Sequence, residues 1–139
     1  LGYDTNLLQK AVHRIPKPTS LAHMQNVEKI EYSAISRGTS ERVVLQQGRY
    51  RYFLNDQKVV LHVLTKEQKQ VLAQVLTEVD VAAIKDLDAP SKRHQFDGAK
   101  VTSIAITSKG KTHRSVTFDD DNPPQALTGL IDFLLGMRQ

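Results

Sequence analysis

Three tight turns in quick succession constrain this chain most. Ile30, Tyr32 and Ala34 alternate with polar neighbours, and Ser36-Arg37-Gly38-Thr39 then turns the chain. Arg42 to Gln46 reads as a second strand, and Gln47-Gly48 as a tight connection. Tyr50, Tyr52 and Leu54 share one face of a third strand, with Arg49 and Arg51 on the other. Asn55-Asp56 turns again, and Val59, Leu61 and Val63 alternate in a fourth strand. Connections this short cannot carry parallel crossovers, so the segment must be an antiparallel meander. The alternation also predicts that His62, opposite Val59, Leu61 and Val63, faces solvent or a partner.

After Val63 the period changes. Thr65-Lys66-Glu67-Gln68 spells a capping box, in which hydroxyl and amide groups satisfy each other's backbone donors. Val71, Leu72, Val75, Leu76 and Val79 follow at helical spacing. Asp80 is positioned to cap a short second helix carrying Val81, Ile84 and Leu87. A polar loop from Asp88 to Lys100 leads to a hairpin, with Val101, Ile104 and Ile106 before Lys109-Gly110-Lys111, and Val116 and Phe118 after it. Asp119-Asp120-Asp121-Asn122-Pro123-Pro124 reads as the opening of a last helix with Asn122 as N-cap; its buried stripe is Leu127, Leu130, Ile131, Leu134 and Leu135. The expected fold is α+β: an antiparallel sheet, meander plus C-terminal hairpin, with helices packed on one face.

The 139 residues, 40% of them hydrophobic and 24% charged, suit one globular core. The expected division is 1–24 and 25–139. In the first part Leu7, Leu8, Ala11, Val12 and Ile15 lie at helical spacing before Pro16-Lys17-Pro18-Thr19-Ser20 and His23-Met24. That part reads either as a vector-derived or fused segment or as a genuine amphipathic helix on a linker. The absence of cysteine removes disulfides, thiolate metal sites and cysteine nucleophiles. No apolar run is long enough to span a bilayer. A net charge of +4 permits anionic partners, while 6% aromatics and no tryptophan argue against a base-stacking platform.

Four groupings could carry chemistry. His94 with Asp97 could serve as a general base and its orienting carboxylate, with Ser91 or Ser115 as nucleophile, in a small hydrolase; no triad signature surrounds them. Asp119-Asp120-Asp121-Asn122 clusters oxygens, but helix capping accounts for them without a metal. His62, His94 and His113 lack zinc-binding spacing, so no metal or other cofactor is expected. Arg37, Arg42, Arg49, Arg51 and Lys58 from the meander, with Lys92, Arg93, Lys100, Lys109, Lys111 and Arg114 further on, could form a basic face for an anionic ligand. No phosphate loop or RNA-binding aromatic signature accompanies them, so nucleic acid is disfavoured and a solvated sheet face is expected.

Tyr32-Ser33, Ser36-Arg37-Gly38, Ala89-Pro90-Ser91, Asp97-Gly98-Ala99, Phe118-Asp119 and Asn122-Pro123-Pro124 together resemble a family of small bacterial secreted or lipoprotein-type domains, over Ile30 to Met137. The resemblance implies a periplasmic or envelope location and brings no catalytic residues. The layout is also similar to emfourin, an inhibitor of thermolysin-like metalloproteases, although Arg37-Gly38 stands where that layout has a glycine pair. The chain therefore reads as a non-enzymatic protein-binding module of the envelope, with a protease among its expected targets. Arg37, Arg93, His94 and Phe96, on two loops carried by the sheet, are the expected contacts. Arg37 could alternatively pair with Asp97 and brace the two loops.

Overall fold

A computed structural model of the chain describes residues 27–96 and 100–138. The segment 1–24 and Asp97, with the readings that rest on them, lie outside the described residues.

The meander forms as its turns dictate. Strands β1 (Val27–Ser36), β2 (Thr39–Gln46), β3 (Arg49–Leu54) and β4 (Gln57–Val63) pair antiparallel in sequence order. Gln47 and Gly48 both take positive φ, as do Asn55 and Asp56. That left-handed pair matches the twist of two-residue hairpins, and glycine and asparagine tolerate it best. Helix α1 (Lys66–Leu76) follows, opened by the capping box: Gln68 N donates to Thr65 Oγ1 at 3.1 Å, and Thr65 N to Gln68 Oε1 at 2.8 Å. The next segment, Val81–Asp86, winds as a 3-10 helix; the Asp80 carbonyl accepts from Ala83 N at 3.0 Å, but its side chain makes no cap bond.

Strand β5 (Val101–Ser108) then pairs with β1, and β6 (Lys111–Arg114) and the short β7 (Phe118–Asp119) both pair with β5. The seven-stranded sheet runs β4-β3-β2-β1-β5-β6, with β7 beside the start of β5. The expected α+β fold is the one found. A 3-10 turn (Gln125–Leu127) and helix α2 (Thr128–Gly136) close the chain. Among the described residues no helix is long and apolar enough to cross a membrane.

The core lies on one side of the sheet. Ile30, Tyr32, Ala34, Val43, Leu45, Tyr50, Ile104 and Ile106 pack against Leu76, Val81, Ile84, Leu127, Leu130 and Leu134. The Tyr50 hydroxyl donates to the Leu134 carbonyl at 2.6 Å, which ties α2 to the centre of the sheet.

Two expectations are corrected here. First, His62 and the β4 aliphatics exchange faces. Register sets His62 opposite Tyr50 on the helix side, their rings 6.0 Å apart, and sets Leu61 opposite Arg51 and Val63 opposite Arg49 on the open side. Second, Asn122 does not cap the last helix. Its backbone N–H donates to Asp119 O and its side chain to Ser91, so α2 starts later, at Thr128.

Candidate functional site

The polar loop and the aspartate run meet at one end of the sheet. β7 pairs with the first residues of β5, Val101 opposite Asp119 and Thr102 opposite Phe118. Phe118 is buried in the core, and Asp119 beside it is buried as well. A carboxylate there must be fully bonded or it would be severely destabilising.

The loop supplies the bonds. Ser91 donates its hydroxyl to Asp119 Oδ2, and the Arg93 amide donates to the same oxygen at 3.0 Å. The His94 amide and the His94 ring Nδ1 both reach Oδ1 at 2.7 Å. Arg93 Nε stands 3.4 Å from Oδ2, and its Nη2 pairs with the exposed Asp121. Asn122 Nδ2 donates to Ser91 Oγ at 2.9 Å and holds the first donor in place. Burial alone would raise the Asp119 pKa. The Ser91 hydroxyl, the His94 amide and ring and the Arg93 amide outweigh it and hold the carboxyl well below the usual carboxylate range.

A short 3-10 turn (Arg93–Gln95) is thereby wrapped onto a fixed anion. The four sequence candidates divide accordingly. Arg93 and His94 come together on Asp119. The His94 side chain is 3% exposed, so it holds the loop and is not offered to a partner. Phe96, which closes the turn, is 86% exposed. Arg37 is exposed in the β1–β2 turn, at the same end of the sheet, because Ile35 pairs with Val101 and Val101 with Asp119.

The remaining hydroxyls sort themselves by partner. Ser115 Oγ accepts from Ile104 N at 3.0 Å and donates to Val116 O, so it repairs the break between β6 and β7. Neither Ser91 nor Ser115 bonds His94. The hydroxyl at His94 Nε2 is Thr117 Oγ1, at 3.1 Å. The Asp119 carboxylate can only accept, so Nδ1 is the donor in that bond. Beside Thr117 lies a cavity of about 300 Å³ lined by Leu87, Asp88, Ala89, Lys92, Gln95 and Val116.

Asp119 was legible only as one of three adjacent aspartates, and helix capping was the expected account of that run. Thr117 had no signal at all. The donors around Asp119 are N–H and O–H groups that occupy both of its oxygens. Among the described residues no group of three or more histidines or carboxylates could hold a metal ion. Comparison with known proteins finds no matching family model, no matching curated protein and no matching solved structure.

Proposed function

We propose that this domain is a non-enzymatic protein-binding module whose partner docks on the loop from Ser91 to Phe96. One observation carries the reading: an aromatic ring 86% exposed ends a turn whose base is bonded to a buried carboxylate. An exposed phenylalanine is unfavourable in water unless something covers it. A turn fixed in advance loses little entropy on binding. Arg93, half exposed beside it, and the neighbouring cavity supply a polar contact and a socket for a partner side chain. Arg37 extends the same end of the sheet. The resemblance to secreted bacterial domains and to emfourin points to a partner in the bacterial envelope, with a metalloprotease as the first candidate.

The test is capture from an envelope extract, followed by titration of the captured protein. Phe96→Ala combined with Arg93→Ala should weaken binding roughly thirtyfold or more, as loss of aromatic and arginine anchors does. Undiminished affinity in that variant, or no captured protein, would refute the reading.

A second reading rests on the line Asp119–His94–Thr117. Carboxylate, imidazole and hydroxyl stand in the order that activates a nucleophile, with a cavity beside the hydroxyl. In this reading Thr117 Oγ attacks an ester carbonyl while His94 takes its proton and returns it to the departing alcohol oxygen; water then attacks the acyl group, which leaves as the acid and restores the Thr117 hydroxyl. Incubation with p-nitrophenyl acetate should show turnover in the wild type and loss of about a hundredfold or more in Thr117→Val. Equal rates in the two proteins would remove the hydrolase reading and leave the binding one.

A further inference from the structure

Among the described residues the helices pack on one face of the sheet, and register shows what stands on the other. Reading across β4, β3, β2, β1, β5 and β6, one row is Leu61, Arg51, Val44, Glu31, Ala105 and Arg114. The next is Val63, Arg49, Gln46, Lys29, Thr107 and Thr112. A third is Lys58, Phe53, Arg42, Ser33 and Ser103. Lys29 and Glu31 neutralise each other at 2.6 Å. Arg42, Arg49, Arg51, Lys58 and Arg114 make no ion pair among the described residues. The half formed by β2, β3 and β4 therefore carries four uncompensated cations and no carboxylate.

Aliphatic side chains stand among these cations. Leu61 and Val63 are 53% and 71% exposed, and Val59, the extra residue of the bulge between Tyr52 and Phe53, is 57% exposed. They line β4, the outermost strand of the sheet among the described residues, where a row of exposed aliphatics is a hazard unless something meets it.

We propose that this face docks on an anionic phospholipid surface. Arginine guanidinium groups pair with headgroup phosphates in a forked geometry, and the aliphatics beside them reach the acyl boundary. Charge complementarity selects this occupant. A second copy would bring like charge against like charge. A single-stranded nucleic acid needs bare rings for its bases, and the ring on this face, Phe53, is covered by the Arg42 guanidinium 4.6 Å from its centroid. The loop at the end of the sheet remains free for a protein partner.

The test uses the whole chain with large unilamellar vesicles of phosphatidylcholine, alone or mixed with phosphatidylglycerol. Sedimentation should show binding to the mixed vesicles only, weakening with salt. Arg49→Gln with Arg51→Gln keeps the side-chain stems and should cost about thirtyfold in affinity, at roughly a factor of five per cation. Leu61→Ser with Val63→Ser should weaken binding severalfold more than it weakens retention of a single-stranded oligonucleotide. The chain has no tryptophan, so Leu61→Trp gives an independent readout: its emission should shift to the blue with phosphatidylglycerol vesicles and stay put with phosphatidylcholine. Binding indifferent to the arginines, equal binding to both vesicles, an oligonucleotide held as tightly as the lipid, or an unshifted emission would each overturn the proposal.

Discussion

Replacing Asp119 with asparagine should lower the midpoint of thermal unfolding by on the order of 10 °C, the largest polar effect in the domain. Asparagine has nearly the same shape, but one of its two terminal atoms is a donor. Oδ1 and Oδ2 of Asp119 both accept, from Ser91, from the amides of Arg93 and His94 and from the His94 ring. Whichever way the amide is turned, an N–H faces other N–H or O–H groups in a buried site. Asp121→Asn is the control. It breaks only an exposed pair with Arg93 and should shift the midpoint by about 2 °C or less. A drop for Asp119→Asn no larger than the control's would show that the loop is held by something else.

The same residue sets an acid limit. Its native pKa lies below that of an unfolded aspartate, so the unfolded chain binds the proton first as pH falls. The Asp119 contribution is complete above the unfolded value of about 3.9 and fades as pH drops from there through the native value. Glu41, lowered in the same direction, is present in both proteins and cancels in the comparison. The advantage of wild type over Asp119→Asn should thus begin to shrink as pH falls below about 5 and keep shrinking to the most acid pH at which the fold persists. Parallel curves over that range would contradict the assignment.

The second large effect is apolar. Leu134→Ala should reduce the unfolding free energy by about 2–5 kcal/mol in a urea titration, the range for truncating a buried leucine. Leu134 is fully buried, and α2 meets the sheet there. Its carbonyl also accepts the Tyr50 hydroxyl. Tyr50→Phe should cost about 1–2 kcal/mol by leaving that carbonyl without its donor. Because the two groups share one contact, the double variant should deviate from the sum of the singles. Strict additivity would mean that α2 and the sheet are coupled elsewhere.

Features that depend on near neighbours were legible in the sequence. The hairpin turns announce themselves at Gln47-Gly48 and Asn55-Asp56, and the Thr65–Gln68 box is complete within four residues. The face of β4 was not legible. Val59, Leu61 and Val63 alternate with His62 whichever way the strand is turned. The orientation comes from the β3 register and the bulge after Tyr52, and a slip of one residue exchanges the two faces. Asp119 was obscure for a related reason. Its neighbours Asp120 and Asp121 look identical to it, and its donors come from Ser91, Arg93 and His94, 25 to 28 positions away. Burial of a carboxylate is decided by those distant partners.

In a chain without cysteine, Asp119 takes the part that a disulfide plays in other small domains. Its bond to Ser91 fastens positions 28 apart in sequence and closes the intervening chain into a loop. This staple is indifferent to thiols and oxidants, so it forms equally well in a reducing or an oxidising compartment. Protons release it.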